Sequence, residues 1–249
     1  MLNKDVAICI RAVDYSETSQ VVTFFTRDAG KVGAIAKGSK RAKSAFDGPI
    51  EMLSLGNIVF SDSTKEKLAT LTEFEQQPDF GTLSRDLFTL NCCLLAAELL
   101  NKLTNDRDPH RELFDSFLQF LRDADTQYEA NRGRGNMLAL LILFQLALLK
   151  EVGLRPVFSS CVSCRSAFSA DWPEVYFSSA SNGMICRNCE GSLQDKIRLT
   201  KEAATCLASL RSIADSQEET LNEIERVLVY HFTEILGHLP KMAKHVLEN

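Results

Sequence analysis

The amino-acid sequence predicts a multi-domain α+β protein in which a small five-stranded β-barrel precedes an α-helical domain. Three observations lead to this fold class: β-rich runs confined to the first 75 residues, helical periodicity after Pro78, and two Cys-x-x-Cys pairs within 161–189. Apolar residues make up 45 % of the 249 residues, which suffices for a sizeable core and excludes a disordered chain. We place the domains at 1–78 and 79–249.

Five short runs account for the predicted barrel. Each is rich in β-branched and aromatic residues and is followed by a turn signal, as in small barrels and sandwiches, and five strands is the number in an OB-type barrel. Gly30 can adopt the positive φ that the turn after the second run requires. The runs are VAICIRAV (6–13), QVVTFFT (20–26), KVGAIAK (31–37), EMLSLGNIVF (51–60) and KLATLTEFE (67–75).

Apolar residues recur with helical spacing after Pro78. Asp108 followed by Pro109 is typical of a helix start, and Ser216-x-x-Glu219 predicts a capping box. The run MLALLILFQLALL has 13 residues, too few to cross a bilayer, and indicates a buried helix. The predicted helices are 80–103, one starting at Asp108, one from the 131–135 loop to Lys150, 200–213, 216–236 and a short one after Pro240.

Two Cys-x-x-Cys pairs predict a metal centre in an insert at about 157–195. Zinc prefers four thiolates at tetrahedral angles, and each Cys-x-x-Cys turn presents two of them. Asn182-Gly183 between the pairs is a hairpin signal that brings the second turn beside the first. We therefore predict one structural Zn²⁺ per chain, with the ligands Cys161, Cys164, Cys186 and Cys189.

Two other interpretations of these cysteines are open. The first is four buried or redox-active thiols, although no βαβ setting for a thioredoxin-type motif is visible. The second is a zinc deaminase, because His110-x-Glu112 with Cys161-x-x-Cys164 loosely resembles the deaminase pattern. That pattern lacks its proline and leaves the second pair unused. Four cysteines leave no coordination position for water, and nucleotide-binding and catalytic motifs are missing from the sequence, so we expect no enzyme.

The segment RDAGKVGAIAKGSKRAKS (27–44) is strongly basic in a chain of net charge −5. Cations at this density neutralise backbone phosphates, which favours nucleic-acid binding over a merely solvated loop. Phe24, Phe25 and Phe46 lie nearby in the sequence and could supply stacking surface for bases. The predicted DNA-binding residues are Arg27, Lys31, Lys37, Lys40, Arg41 and Lys43.

Several motifs in this order resemble one family. Tyr15-Ser16-Glu17 leads into a strand that ends in Thr26-Arg27-Asp28-Ala29-Gly30-Lys31, and the basic stretch 37–44 follows. Gly153-Leu154-Arg155-Pro156 comes after the apolar helix, and then the two cysteine pairs with Asn182-Gly183 before the second. From residue 1 to about 240, this order is similar to that of the bacterial recombination mediators of the RecO family. The family commonly has Gly-Gly where this chain has Asn182-Gly183.

The resemblance implies an N-terminal OB domain, a helical domain and an embedded zinc ribbon. It implies binding of single- and double-stranded DNA, annealing of complementary strands and loading of RecA onto DNA coated by single-strand-binding protein. Implied partners are RecR, in some lineages RecF, and the C-terminal tail of the single-strand-binding protein, for which Arg132 and Arg134 are candidate rim residues. It also implies a cytoplasmic, nucleoid-associated protein without membrane contact.

Two other classes use the same parts. An RNA-binding or ribosome-associated protein also combines an OB barrel with a zinc ribbon, and a pure scaffold would bind no nucleic acid. A recombination mediator anneals complementary DNA, and an RNA-binding or ribosome-associated protein does not. A pure scaffold shows no binding in a DNA-binding assay at low salt.

Overall fold

The structure is a computed structural model that describes residues 2–41, 44, 46, 48–61, 68–78, 80–129 and 133–247. By its contacts the chain divides into two compact units, Met1–Tyr128 and Glu129–Asn249. The boundary that the sequence predicts at residue 78, where strands give way to helices, stays a prediction.

The first unit contains a closed five-stranded barrel, as the sequence predicts. Around the barrel the order is β1-β2-β3-β5-β4, with β3 and β5 parallel and every other pair antiparallel. This connectivity is that of an OB-type barrel. The strands are β1 (Leu2–Asp14), β2 (Gln20–Thr26), β3 (Gly30–Ala36), β4 (Leu55–Ser61) and β5 (Ala69–Gln76).

Alternation of side chains along the strands fills the barrel. Val22 and Phe24 point inward and are fully buried, while the intervening Val21 and Thr23 lie on the outer face and are partly exposed. Phe46, from the connection between β3 and β4, is also buried in this core. The expectation of stacking surface on the nearby phenylalanines is therefore wrong, since Phe25 too is fully buried.

Two helices complete the first unit, α1 (Leu87–Leu103) and α2 (Arg111–Glu129). Helix α1 begins seven residues later than the sequence predicts, because the Asp86 carboxylate accepts a hydrogen bond from the Thr89 N–H at 2.8 Å and caps it there. Phe114 of α2 packs on Phe25, with ring centroids 6.1 Å apart.

The second unit is helical with a small three-stranded sheet. Its helices are α3 (Arg134–Glu151), α4 (Lys201–Ala208), α5 (Glu218–Leu236) and α6 (Ala243–Leu247), and its strands are β6 (Val175–Ser178), β7 (Gly183–Cys186) and β8 (Ile197–Leu199). The sheet has the order β7-β6-β8. No helix in the described part of the chain is long and apolar enough to cross a membrane.

The predicted capping box at the start of α5 does not form. The residue that precedes the helix is Gln217, which makes no side-chain cap. The Ser216 hydroxyl instead donates to the Ser212 carbonyl at 2.6 Å, so it is committed to the preceding turn. The sequence also gave no sign of β8, whose three residues are too few for a recognisable alternation.

Candidate metal centre and nucleic-acid interface

Four cysteine side chains converge in the second unit. The Sγ atoms of Cys161, Cys164, Cys186 and Cys189 all lie within 4.8 Å of one another. Sulfur atoms at tetrahedral angles around an ion 2.3 Å away stand about 3.8 Å apart. The Sγ atoms of Cys164 and Cys186 are 3.7 Å apart, so the geometry fits a metal bound by four thiolates. His110 of the deaminase interpretation is not in this group.

Backbone hydrogen bonds hold the two Cys-x-x-Cys turns in place. In the first turn, the Arg165 N–H donates to the Cys161 carbonyl at 2.8 Å, and in the second, the Cys189 N–H donates to the Cys186 carbonyl at 3.0 Å. The Cys186 N–H also points at the Cys161 sulfur, 3.5 Å away. A donor in this position stabilises a thiolate, as the supporting shell of a metal site does.

The β6–β7 hairpin brings the second turn beside the first. Asn182 adopts a left-handed φ of 54°, which the hairpin signal anticipated, and Gly183 follows it. A Cβ on Gly183 would stand 2.5 Å from the Val157 carbonyl oxygen, so this close backbone approach requires glycine. The Met184 N–H donates to the same carbonyl at 2.9 Å and joins the hairpin to the segment before Cys161.

The surroundings of the cysteines favour metal binding over an exposed redox pair. Cys161 is fully buried against Tyr176 and Ile185, and Trp172 packs against this cluster. Hydrogen bonds from the Ser166 hydroxyl and backbone lower the pKa of the Cys164 thiol to about 6, whereas burial raises the pKa of Cys186 and the hydrogen bond with Cys186 raises that of Cys189. The opposite shifts come from thiols that share protons at close range, so the convergence of four sulfur atoms, and not one lowered pKa, favours a metal site.

Three of the predicted DNA-binding residues lie together at one end of the barrel. Lys37, Lys40 and Arg41 belong to the turn after β3, which we call the cationic turn (residues 37–41). Lys37 and Arg41 are exposed and form no ion pair among the described residues, whereas Lys40 pairs with Asp14 of β1 at 2.6 Å. Lys43 lies outside the described residues.

Hydrogen bonds fix the cationic turn to the rest of the barrel. The Lys40 N–H donates to the Thr18 carbonyl at 3.1 Å, and the Gly38 N–H donates to the Ser19 hydroxyl at 3.2 Å. The buried Ser39 hydroxyl donates to Gln20 Oε1 at 2.9 Å. The backbone of the cationic turn is thus held against the barrel by hydrogen bonds, and its exposed cations project from this fixed backbone.

Arg27 and Lys31 are engaged within the first unit instead. Lys31 is 12 % exposed, and its ammonium group donates to the Asn101 and Thr104 carbonyls at 2.8 and 2.7 Å, at the C-terminal end of α1. A cation there satisfies carbonyls that lack helical partners and complements the helix dipole. Arg27 forms a bidentate pair with Asp115 of α2, at 3.1 and 3.0 Å.

The candidate rim of a partner site is only partly described. Arg132 lies outside the described residues. The Arg134 guanidinium donates to the Val246 carbonyl at 3.0 Å, and its Nε lies 3.5 Å from Glu218 Oε1. These two contacts connect the starts of α3 and α5 to α6. The Arg134 side chain is 23 % exposed, so this arginine contributes to the packing of the second unit.

Tyr15 is an exposed aromatic residue that the sequence analysis names only in a family motif and does not assign to DNA binding. It follows Asp14, the partner of Lys40, and its side chain is 68 % exposed. Its N–H donates to the Ser19 carbonyl at 2.9 Å, which closes the β1–β2 turn beside the cationic turn. A signal was available: an aromatic residue in a polar hairpin loop has no strand alternation that would bury it.

Comparison with known proteins covers almost the whole chain. The family model described as "Recombination protein O N terminal" matches residues 1–77, and "Recombination protein O C terminal" matches residues 84–245. Three proteins named DNA repair protein RecO are similar to this chain. The one from Rhodopirellula baltica is 32 % identical over 87 % of this chain and 77 % of its own length. The one from Bacillus pumilus is 30 % identical over 98 % of this chain and 93 % of its own length. One from Listeria monocytogenes is 26 % identical over 99 % of this chain and 94 % of its own length.

The N-terminal family model covers the closed five-stranded barrel, and the C-terminal family model covers the helices and the four-cysteine cluster. Matches to both models, together with relatives at 30 % identity or more over most of their length, place the chain in DNA repair and recombination. The chain belongs to the RecO family of DNA repair proteins.

Proposed function

We propose that this protein binds single- and double-stranded DNA, anneals complementary strands and helps load RecA onto DNA coated by single-strand-binding protein. The observation that carries the proposal is the cationic turn, in which Lys37 and Arg41 project from an OB-type barrel and have no ion-pair partner among the residues that the structure describes. Such a surface binds backbone phosphates without regard to sequence. A mediator and annealing protein needs this tolerance.

Five of the six predicted DNA-binding residues lie in the described part of the chain, and their contacts differ. Lys37, Lys40 and Arg41 lie in one turn, and we propose that they contact phosphate, with Lys43 two residues further along the chain. The contacts of Arg27 and Lys31 with α2 and α1 favour a structural role for these two. Arg27 is half exposed, so its outer edge is still available to a phosphate.

We also propose that the four cysteines hold one Zn²⁺, as a structural ion. All-thiolate tetrahedral sites are typical of structural zinc, and with four protein ligands no position is left for water or substrate. In this proposal the protein is not an enzyme, and its work is done by binding. It acts in the cytoplasm at the nucleoid, and its partners are RecR, in some lineages RecF, and the tail of the single-strand-binding protein.

A salt series with a labelled single-stranded oligonucleotide tests the DNA contacts. Each cation that neutralises a phosphate on a single strand contributes about 0.7 to the slope of log K against log salt. The combined variant Lys37→Ala, Lys40→Ala, Arg41→Ala should lower the slope by roughly 1.4 if only Lys37 and Arg41 contact phosphate, and by roughly 2 if Lys40 leaves Asp14 to join them. Fluorescence anisotropy measures both affinity and slope.

A matched control removes three cations elsewhere. Lys201, Arg211 and Arg226 are exposed in the second unit, and their replacement by alanine changes the net charge equally. The control should keep the wild-type slope, because phosphate contact depends on position and not on total charge. Equal losses in both variants, or none in the first, would remove the cationic turn from the DNA site.

Annealing is measured separately with two labelled complementary strands, with and without single-strand-binding protein. The wild type should accelerate annealing, and the cationic-turn variant should do so less. If the protein binds RNA more tightly than DNA of the same sequence and anneals neither, the alternative of an RNA-binding protein is correct.

A further inference from the structure

The end of the barrel that carries the cationic turn also carries an exposed apolar surface. The register pairs Val13 with Val21 and Val21 with Ile35, so these three side chains form one row across the outer face of β1, β2 and β3. Val13 is 44 % exposed, and the other two are partly exposed. The outer face further along is different, since Phe25 there is fully buried.

Tyr15 follows Val13 by two residues, in the turn between β1 and β2. It is the most exposed of the large apolar and aromatic side chains, at 68 %, among the described residues. Burial in the core does not explain an aromatic ring in this place, and a ring left in water gains no packing energy. Its turn is hydrogen-bonded to the cationic turn through the Lys40 N–H and the Thr18 carbonyl. The turn that carries this aromatic ring therefore lies beside the cationic turn.

These features together match the chemistry of an unpaired nucleotide. The phosphate is an anion for Lys37 and Arg41, and the base has an apolar face for an aromatic ring. A duplex presents the same phosphates, but its base faces are covered by stacking within the helix. An exposed ring can therefore distinguish single from double strands, whereas the cations cannot.

We propose that Tyr15 stacks on an unpaired base, and that the surface made by Tyr15, the outer row of Val13, Val21 and Ile35, and the cationic turn takes single-stranded DNA in preference to duplex. This inference rests on the proposed function, since it assumes that the cationic turn contacts DNA. It adds a residue that supplies strand preference without sequence preference, because every base has an aromatic face.

Substitutions at Tyr15 separate the ring from the charges. Tyr15→Ala and Tyr15→Leu should weaken binding to a labelled oligo(dT) strand by about tenfold, and Tyr15→Phe, which keeps the ring, should remain within about twofold of wild type. The salt slope should not change in any of them, because tyrosine carries no charge. Affinity for duplex DNA should change much less, so that the preference for single strands falls.

An abasic strand provides the decisive comparison. Wild type should bind an abasic strand of equal length about as weakly as Tyr15→Ala binds oligo(dT), and Tyr15→Ala should show no further loss on the abasic strand. Tyr15→Trp adds a direct reading, because oligo(dT) should quench the new indole, while the wild type with its single tryptophan, Trp172, supplies the background. Thermal unfolding of each variant checks that the fold is kept.

The outcomes show whether a failure belongs to the stacking role of Tyr15 or to the proposed function on which it rests. If Tyr15→Ala keeps wild-type affinity and the cationic-turn variant loses it, the stacking role is wrong and the proposed function stands. Equal losses of Tyr15→Ala on oligo(dT) and abasic strands also overturn the stacking role. If the wild type binds no DNA at low salt, both are wrong.

Discussion

Glu225 of α5 is a fully buried carboxylic acid. Its Oε1 accepts a hydrogen bond from Gln145 Nε2 of α3 at 2.9 Å, while its Oε2 and Gln145 Oε1 are buried without hydrogen-bond partners in the described structure. Burial raises the pKa of Glu225 from 4.5 to about 7, and the hydrogen bond from Gln145 offsets only part of that shift. Near neutral pH the carboxyl group is therefore poised between its two forms.

The sign of the linkage follows from this raised pKa. The unfolded chain releases the proton near pH 4.5 and the folded chain near pH 7, so the free energy of unfolding falls as the pH rises through this interval. We expect Glu225→Gln, which cannot ionise, to be more stable than wild type by up to about 3 kcal/mol at pH 8 and nearly equal to it at pH 4.5. Urea unfolding at the two pH values measures the difference.

The control for this prediction is Glu234→Gln, on the same helix but exposed. It removes the same charge without a burial cost, so its effect on stability should not grow between pH 4.5 and pH 8. If the cysteines hold a metal that is released at low pH, the release affects wild type and variant alike and cancels in the comparison. A stability difference for Glu225→Gln that is the same at both pH values would contradict the assignment.

Single residues also show where sequence reasoning fails. Lys31 and Lys37 belong to one basic run, yet Lys31 caps α1 and Lys37 is exposed. Local charge density cannot separate them, because the partners of Lys31 lie about 70 residues away in the chain. The four cysteines were predictable, since ligand type and spacing within a short segment are what a metal requires. Tyr15 was not assigned to the DNA site, because the approach of its turn to the cationic turn depends on the fold, although its position in a polar hairpin loop already indicates exposure.

At the scale of elements, the barrel strands and the ribbon, by which we mean the insert at about 157–195 with its two Cys-x-x-Cys turns and the β6–β7 hairpin, were predictable, because the sequence patterns that indicate them lie within short segments. Alternation along QVVTFFT and the turn at Gly30, where φ is 71°, place β2 and β3 as expected. Helix boundaries depend on which side chain accepts a hydrogen bond from the first N–H groups of the helix. Asp86 accepts one at the start of α1, whereas Ser216 does not cap α5. A Cβ on Gly30 would stand 2.3 Å from the Asp108 carbonyl oxygen, a long-range constraint that the sequence does not display.

The ribbon is the element whose order should depend on metal. We expect one zinc per chain by elemental analysis of the wild type. Cys186→Ser should lose most of it, because three thiolates bind less tightly and metal affinity in such sites is folding free energy. The apolar cluster around the cysteines, centred on Cys161, Tyr176 and Ile185, is small, so the two Cys-x-x-Cys turns should loosen without metal and proteolysis within 157–195 should become faster.

Cys206→Ser is the matched control for this element. Cys206 is buried, whereas Cys186 is half-buried, and it lies outside the group of four, so its replacement should leave the zinc content unchanged. Wild-type protein without metal, or a Cys186→Ser variant with full metal content, would contradict the four-thiolate site.

At the scale of the whole molecule, charge is unevenly distributed. The chain carries a net charge of −5, but residues 27–44 contain six cations and one acid. Two of those cations, Arg27 and Lys31, have partners on α2 and α1 within the first unit, so the basic run both joins barrel to helices and presents charge at the cationic turn. In the proposed function, overall acidity would limit indiscriminate binding to DNA, and a local basic patch would make binding sensitive to salt.

Metal and DNA binding should be separable, because the cysteines and the cationic turn belong to different compact units. We expect a chelator that removes the metal to leave the affinity for single-stranded DNA and its salt slope nearly unchanged, within about 0.3 in log K. The cationic-turn variant should conversely keep its zinc. Anisotropy over a salt series, with zinc content measured on the same samples, checks both directions. If chelation abolishes DNA binding while circular dichroism shows the barrel intact, the ribbon takes part in the DNA site and the barrel alone does not account for binding.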